Sequence, residues 1–304
     1  MKKIRSTFLL FLTAVIWGVA FVAQLIGSEH VGTFTFNGVR FILGAISLIP
    51  VILLFEQKNR TKDKLKLTLV IGIVAGLILF GASTLQQIGV EMTGSAGKSG
   101  FITGLYTVLV PFFAMFFGKK TSLNTWMGAV LAVAGLYLLS FADGIGAVGM
   151  GDLVLLIGSV LWAFHILVID RFGGGAYSLI FAMTQFMVCG VLSIVCALIF
   201  EDISFSAIYN ARFPILYAGL MSVGVAYTCQ ILGQKNADPT FATIVLSTES
   251  VFSALGEAVI FGFILTSHEY TPISLRGYIG CGIMFLGIIV SQLKPFKIKN
   301  IKKC

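Results

Sequence analysis

The fold is decided by residues 6–27, which read STFLLFLTAVIWGVAFVAQLIG and contain no charged side chain. A helix of this length is about 33 Å long, enough to cross the roughly 30 Å hydrocarbon core of a bilayer. Lys2, Lys3 and Arg5 imitate the start of a signal peptide, but the apolar stretch is too long and no small-residue cleavage site follows. Residues 6–27 are therefore predicted to form the first membrane helix.

The whole chain has the composition of a membrane protein. It is 57% hydrophobic and 11% charged, and its mean hydropathy is +0.98, whereas a soluble domain carries about 25% charged residues. The apolar stretches are continuous rather than alternating, which favours helices over a barrel. The sequence predicts an all-α integral membrane protein with ten transmembrane helices at residues 6–27, 34–55, 67–88, 95–117, 123–141, 152–170, 178–200, 213–233, 240–264 and 275–293.

Positive charge is distributed unequally between the two sets of loops. Of the 21 Lys and Arg residues, 17 fall on the side that holds the N-terminus, including the basic tail 294–303. Short loops rich in Lys and Arg stay in the cytoplasm, so both termini of this multi-pass plasma-membrane protein are predicted to be cytoplasmic. The net charge of +8 therefore indicates topology, and no nucleic-acid partner is predicted.

An internal repeat relates the two halves of the chain. Trp17 lies in the sequence AVIWG, and Trp162 lies 145 residues later in SVLWA. Similar spacings relate Arg40-Phe41 to Gln185-Phe186 and Gly89 to Gly233. The repeat unit holds five helices, and an odd number makes the second copy enter the membrane from the opposite side. We therefore expect two inverted five-helix repeats, residues 1–145 and 146–304, which is a common design of transporters.

Two stretches give the chain a family resemblance. They are SAGKSGFITGLY at residues 95–106, which leads to Pro111, and ESVFSAL at residues 249–255. With its two five-helix halves, the chain is similar to the drug/metabolite transporter superfamily, and specifically to proteins with two EamA-type domains. The resemblance implies a secondary transporter rather than an enzyme. It would export a small organic metabolite, amino acid or drug-like compound by alternating access, from a cavity between the halves.

Glu249 is the main candidate for a charged substrate contact. It lies about ten residues into the ninth predicted helix, near the midplane of the bilayer. An ionisable side chain at that depth is unfavourable by roughly 2.5–3.5 kcal/mol on insertion scales, so it needs a cavity or a partner. Glu249 is predicted to bind substrate or to couple transport to protons. The structural alternative is a carboxylate tied to a neighbouring helix.

Three further ionisable residues lie within predicted helices. Lys98, near the outer end of the fourth helix, is a candidate substrate contact that can reach water and pair with Glu257. His165, in the middle of the sixth helix, is a candidate ligand or proton relay, although a hydrogen bond to a neighbour would equally explain it. Arg40, about one turn inside the second helix, is expected to reach the outer headgroups.

Aromatic and other uncharged residues complete the list of candidates. Trp17, Trp162 and Tyr106 are predicted to line the cavity for an apolar or cationic substrate, with ordinary helix packing as the alternative. Gln86, Gln87 and Gln230 are expected to form hydrogen bonds between helices. Pro111 is predicted to kink the fourth helix.

Two other classes of function remain open from the sequence. Residues 97–100, GKSG, fit the GxSG pattern of rhomboid proteases, with Ser99 as nucleophile and His165 as base. Their predicted depths in the membrane differ, which disfavours a catalytic pair. A non-transporting scaffold or lipid scramblase is the third class. The five scattered cysteines form no CxxC, and no nucleotide motif lies in a suitable context, so neither metal nor cofactor is predicted.

Overall fold

A computed structural model of the chain describes residues 2–56, 60–118, 121–140, 149–265 and 274–293. These residues form helices and the turns between them, and none of the described residues is in a strand. Eight of the helices are long and apolar enough to cross a membrane, and two shorter apolar helices lie at the fifth and tenth predicted positions. The predicted all-α membrane architecture is confirmed to this extent. The basic tail 294–303 lies outside the described residues.

Ten helices in chain order account for the apolar stretches. They are α1 (Lys2–Ser28), α2 (Thr33–Ser47, continued by Ile49–Phe55), α3 (Lys62–Thr93), α4 (Ala96–Gly104, continued by Tyr106–Phe116), α5 (Leu123–Ser140), α6 (Met150–Phe172), α7 (Ser178–Phe200), α8 (Arg212–Gln234), α9 (Pro239–Leu246, continued by Glu249–Val259 and Ile260–Ile264) and α10 (Leu275–Gln292). A short helix, Phe205–Asn210, lies between α7 and α8.

The third helix is longer than its apolar stretch. The sequence predicted residues 67–88, whereas α3 begins at Lys62 and ends at Thr93. Its first turn carries exposed Lys and Asp side chains, which a helix can hold where it projects from the hydrocarbon into water. Gly94 ends the helix in the left-handed conformation, with φ of 63°, where glycine is favoured because it has no Cβ.

Besides α2, which is interrupted at Leu48, the helices α4 and α9 are interrupted within the membrane-spanning length. In α4 the interruption is at Leu105, six residues before Pro111, which lies within the second helical segment. The sequence pointed to Pro111 because proline cannot donate the hydrogen bond of a helix interior. In α9 the interruption falls at Ser247 and Thr248, where no proline is present. Interrupted membrane helices are typical of transporter binding sites, because helix ends inside the protein present free backbone groups.

The eighth helix has a wide central section. Residues Tyr217–Tyr227 form a π-helix, and two of its carbonyl oxygens accept hydrogen bonds from α1. Trp17 Nε1 donates to Ser222 O at 3.4 Å, and Thr13 Oγ1 donates to Ala226 O at 3.0 Å. Sections of π-helix occur frequently at functional sites. Here the wide turn positions backbone acceptors where α1 crosses α8.

Helix packing follows a reciprocal pattern. The helix pairs α2 with α7 and α5 with α10 pack together, as do the broken helices α4 and α9. Helix α1 packs on α8 and α9, and its counterpart α6 packs on α3 and α4. Exchanging α1–α5 for α6–α10 in order therefore leaves the first three contacts unchanged and converts the contacts of α1 into those of α6.

Glycines allow the α5–α10 pair to approach closely. A Cβ atom added to Gly128 would lie 2.6 Å from Gly287 O, and one added to Gly287 would lie 2.7 Å from Gly128 O. Neither position therefore tolerates a side chain without movement of the backbone. Small residues at such crossings let helices pack in lipid, where apolar attraction does not distinguish protein from acyl chains.

Two glutamates, one in each half of the chain, each cap the start of a helix in the other half. Glu201, at the end of α7, accepts hydrogen bonds from the backbone N–H groups of Phe34 and Thr35 at 2.7 and 2.8 Å and from Thr35 Oγ1 at 2.7 Å. Glu56, at the end of α2, accepts from Leu179 N and Ile180 N at 3.1 Å. All three positions of one cap are 145 residues from those of the other. The caps place α2 and α7 antiparallel to each other.

Removing one cap provides a test of this arrangement. We expect Glu201→Ala to lower the free energy of unfolding by about 1–2 kcal/mol, the usual effect of losing a helix cap. Glu56→Ala should have a smaller effect, because its hydrogen bonds are longer. Reversible unfolding in mixed detergent micelles measures both. Asp202→Ala changes an exposed neighbouring acid and serves as control. If Glu201→Ala unfolds like this control, the cap contributes nothing to stability.

Candidate functional site

A polar cavity lies between the helices at the centre of the protein. Its walls come from seven helices: α1, α2, α3, α4, α6, α8 and α9. The lining residues are Trp17, Ala20, Phe21, Gln24, Arg40, Gln86, Thr103, Tyr106, Trp162, Ile166, Ser222, Tyr227, Gln230 and Glu249. The space open to the centre of a water molecule is about 20 Å³, room for about one water. The cavity is therefore small.

Eight of the fourteen lining residues form four pairs related by the sequence repeat. Trp17 with Trp162 and Phe21 with Ile166 are each 145 residues apart. Gln86 with Gln230 is 144 apart, and Tyr106 with Glu249 is 143 apart. Both halves of the chain therefore contribute equivalent positions to one cavity.

Glu249 and Tyr106 meet at the two helix interruptions. Tyr106 begins the second segment of α4, and Glu249 begins the second segment of α9. The Tyr106 hydroxyl donates a hydrogen bond of 2.9 Å to Glu249 Oε1, and both residues are buried. Two candidates from the sequence are thus brought together. The carboxylate lies at the first turn of a helix segment, where the helix dipole favours negative charge.

Aromatic rings cover one wall of the cavity. The ring centroids of Trp17 and Trp162 are 6.3 Å apart, and Tyr227 lies 4.6 Å from the first and 6.1 Å from the second. Rings at these distances pack favourably and present flat apolar faces. The structure brings Trp17 and Trp162, both candidates from the sequence, together on this wall. Tyr227 was not predicted.

The glutamines divide into bonded and unbonded groups. Gln86 Nε2 donates to Gln24 Oε1 at 3.0 Å, and Gln87 Nε2 donates to Gln24 O at 3.0 Å, which links α1 with α3 as expected. Gln230 differs, because neither its Nε2 nor its Oε1 has a hydrogen-bond partner among the described residues. Thr103 Oγ1 and Trp162 Nε1 also lack partners there. The residues that line the cavity therefore include buried polar groups with unused hydrogen-bonding capacity among the described residues.

Arg40 corrects a prediction from the sequence. It was expected to reach the outer headgroups, but its side chain is 3% exposed and lines the cavity. Its guanidinium carbon lies 5.3 Å from the ring centroid of Phe36 and 5.0 Å from that of Phe41. Arg40 is seven residues from the start of α2, too far inside for its side chain to reach the membrane surface without leaving this packed environment.

Lys98 has a different partner from the one predicted. Its Nζ lies 2.8 Å from Asp152 Oδ1 and 2.9 Å from Oδ2, so it joins α4 to the start of α6. Glu257, the expected partner, instead accepts a hydrogen bond of 2.6 Å from Gly97 N. A carboxylate at a helix start binds free backbone N–H groups, which explains the choice. Lys98 does not line the central cavity.

His165 lies beside the cavity without lining it. The ring packs edge-on against Trp162 and Tyr227, with centroids 5.7 and 6.3 Å away, and is fully buried. Its Nε2 is 2.9 Å from Gln185 Oε1, on α7. This contact between neighbouring helices is the alternative that the sequence left open.

Ser99 and His165 are not brought together. Ser99 Oγ donates to Ser95 O at 2.7 Å and lies 2.8 Å from Thr93 Oγ1, while His165 contacts Gln185. A serine nucleophile needs a base within hydrogen-bond distance. The geometry therefore offers no support for the protease alternative.

Sequence reasoning missed several polar residues that line the cavity, namely Gln24, Arg40, Gln86, Thr103, Ser222, Tyr227 and Gln230. The repeat relates Gln230 to Gln86, because the two glutamines are 144 residues apart, the same spacing as Gly89 and Gly233. This spacing could have placed the two glutamines at equivalent positions. For Tyr227 the equivalent position is Ser83, which gave no such signal.

Comparison with known proteins gives a consistent result. The profile of the EamA-like transporter family matches twice, at residues 4–141 and 149–293. An uncharacterized transporter of Archaeoglobus fulgidus is 25% identical over 294 residues, covering 96% of this chain and 87% of the relative. The uncharacterized transporter YoaV of Bacillus subtilis is 23% identical, covering 92% and 95%. The uncharacterized inner membrane transporter YedA of Escherichia coli is 26% identical over about half of each chain, 51% and 50%.

A solved crystal structure of a protein has a similar fold. It superposes with a TM-score of 0.74 at 18% sequence identity, covering 97% of this chain and 98% of the other. At this level of identity the similarity concerns the fold alone.

Proposed function

Because the chain belongs to the EamA-like transporter family, we propose that it is a secondary transporter that exports a small organic solute by alternating access. One observation carries the proposal: a buried polar cavity, lined by both halves, lies where two interrupted helices meet. Such a cavity at a repeat interface is where transporters of this design bind their substrate. The solute class would include metabolites, amino acids and drug-like compounds.

The architecture that we propose is ten transmembrane helices in two inverted repeats, residues 1–145 and 146–304. Three observations support it: the reciprocal helix contacts, the crossed caps of Glu56 and Glu201, and the repeat-related pairs of cavity residues. Halves related by a two-fold axis in the membrane plane would produce all three. Alternating access then follows from rocking one half against the other around the cavity.

The proposed site consists of Glu249, Tyr106, Trp17 and Trp162. Glu249 supplies charge, Tyr106 holds the carboxylate, and the two indoles supply an apolar wall. Lys98 and His165, both candidates from the sequence, are assigned less direct roles. Lys98 closes the outer end of α4 against α6, and His165 supports the ring cluster from behind.

The proposed orientation places both termini in the cytoplasm. Alkaline phosphatase fused after residue 202 should then be active, because that connection would be external. The same enzyme fused after residue 304 should be inactive, whereas green fluorescent protein at that position should fluoresce. The physical reason is the excess of Lys and Arg in the opposite set of loops. The reverse pattern of reporter activity would refute the orientation.

Flux measurements test the proposed activity. The purified chain in proteoliposomes should move at least one member of a metabolite library, with saturable kinetics and without ATP. A pH gradient imposed across the same vesicles shows whether protons are a coupling ion. Vesicles without protein and a library of impermeant sugars serve as controls.

The alternatives predict different results in the same preparation. A scaffold would give no saturable flux of any solute, and a scramblase would equilibrate labelled phospholipid instead. A protease would cleave membrane substrates in a manner abolished by Ser99→Ala. Any of these three outcomes without solute flux would remove the transporter proposal.

A further inference from the structure

An apolar groove separates the start of α1 from α9 and α10. One face of residues 3–11 forms one wall, and Val245 of α9 with Phe285 and Ile288 of α10 forms the other. The groove encloses about 530 Å³, within the range of roughly 300–1,000 Å³ that holds small ligands. It is separate from the central cavity, because the two have no lining residue in common among the described residues.

The groove suits hydrocarbon better than water. Six of its eight lining residues are apolar, and cavities of this kind stay dry because a buried water needs two to four polar partners. Phe8, at the rim, is 63% exposed, so the groove faces the surroundings of the helices rather than the protein interior. In a membrane those surroundings are acyl chains. An acyl chain is therefore the material that fits this space.

The length of the groove matches one leaflet of the bilayer. Lys3 and Phe11 are eight residues apart on α1, which is about 12 Å along the helix axis. Phe285 lies seven residues before the end of α10 at Gln292, which is about 10 Å. Both walls thus extend through most of the roughly 15 Å of hydrocarbon in one leaflet. The rings of Phe11 and Phe285, with centroids 6.5 Å apart, close the deep end.

A basic side chain lies at the surface end of the groove. Lys3 Nζ is 5.8 Å from the ring centroid of Phe241, and no ion pair within 4 Å links it to a described residue. None of the described residues that line the groove is acidic. Asp238, at the start of α9, accepts from two backbone N–H groups of its own helix. Arg5 and Lys235 line a second pocket beside α1 and add positive charge at this end.

We propose that this groove binds one anionic phospholipid, with its phosphodiester at Lys3 and an acyl chain between α1 and α10. The choice of leaflet follows from the proposed orientation, because the start of α1 then lies at the cytoplasmic leaflet, where anionic lipids attract basic residues. A zwitterionic phospholipid has the same chains, but the positive group of its own head weakens its attraction to Lys3. The lipid site is additional to the proposed transport of a solute.

Native mass spectrometry of the full-length chain in detergent tests the proposal. The probes are dioleoyl phosphatidylglycerol and dioleoyl phosphatidylcholine, which share their acyl chains and differ in net charge. We expect one phosphatidylglycerol to be retained with an affinity at least about fivefold higher than that of phosphatidylcholine, because of its attraction to a basic side chain near the membrane surface. The same lipid should raise the midpoint of thermal unfolding, since a ligand of the folded chain stabilises it.

Two variants with matched controls locate the lipid. Lys3→Gln should lower the affinity for phosphatidylglycerol to that for phosphatidylcholine, whereas Lys62→Gln changes an exposed lysine outside the groove and should have no effect. Ile288→Trp should fill the groove and weaken both lipids by about tenfold or more. Ile289→Trp, at a side chain that is 59% exposed and outside the groove, should bind like the unsubstituted chain. If Ile288→Trp does not fold, the two lipids and the two lysine variants still decide the matter.

Four results would overturn the inference. Equal retention of the two lipids by the unsubstituted chain would show that headgroup charge is not recognised. An equal loss of affinity in Lys3→Gln and Lys62→Gln would indicate a general attraction to positive charge rather than a site. Binding by Ile288→Trp as tight as that by Ile289→Trp would exclude the acyl chain from the groove. Displacement of the lipid by soluble glycerol phosphate would show that an anion alone is bound.

Discussion

Transport by the Glu249→Gln variant is expected to be about a hundredfold slower than that of the unsubstituted chain at limiting solute concentration. Glutamine keeps the size of the side chain and can still accept the Tyr106 hydroxyl, so packing at the two helix interruptions is preserved. The negative charge is lost, and with it any pairing to a cationic group in a site sheltered from water. The measurement is initial flux in proteoliposomes, with Glu29→Gln as an exposed control.

A second arm separates binding from proton coupling. Exchange of labelled for unlabelled solute across the membrane needs no net proton movement. If Glu249 binds the solute, both exchange and net flux should fall. If exchange persists while net flux driven by a pH gradient is lost, Glu249 carries protons instead. Unchanged net flux in the variant would remove Glu249 from the site altogether.

Joining α4 to α9 by a disulfide should stop transport almost completely. A Cβ atom on Gly97 would lie 3.6 Å from the Cβ of Ala254, within the range of about 3.5–4.5 Å found in disulfides. The same Cβ would lie 3.1 Å from Glu257 Oε2, which is the end of a flexible side chain and can move. We therefore expect Gly97→Cys with Ala254→Cys to cross-link under oxidation and hold the start of α4 against the second segment of α9.

The control for the cross-link is its reversal. Flux of the oxidised double variant should fall to the level of empty vesicles and return when a reductant is added. Each single variant should transport normally under both conditions, which accounts for the native cysteines. Mass spectrometry of the linked peptides establishes that the bond has formed. Full flux through the cross-linked protein would show that α4 and α9 do not separate during transport.

The extent of the helices could be predicted because it depends on local composition. An uninterrupted apolar stretch of the right length forms a helix whatever surrounds it, since no water is present to satisfy its backbone. The predicted ends differ from the observed ends where polar residues continue a helix, as in α3, which begins at Lys62 rather than at residue 67. The interruptions at Leu105 and Ser247 were not evident, because neither site has a proline at the break.

The partners of charged residues could not be predicted, because they depend on how the helices are rotated. Lys98 and Glu257 were matched by their depth in the membrane, yet Asp152 at the start of α6 lies closer to the Lys98 ammonium. Arg40 was expected to reach the headgroups because the predicted helix bounds placed it about one turn inside the second helix. Its actual position is set by which face of α2 meets the cavity, and periodicity is a weak guide for helices that are apolar on all sides.

The crossed caps also constrain the order of assembly during synthesis. When α2 enters the membrane, the backbone donors of Phe34 and Thr35 have no acceptor from Glu201, because Glu201 lies 167 and 166 residues later in the chain and has not yet been made. They must bind water or headgroups until α7 is complete. The reverse cap from Glu56 is available as soon as Leu179 and Ile180 emerge. Helix α2 is therefore inserted early, but the start of α2 acquires its cap only after α7 and Glu201 have been translated.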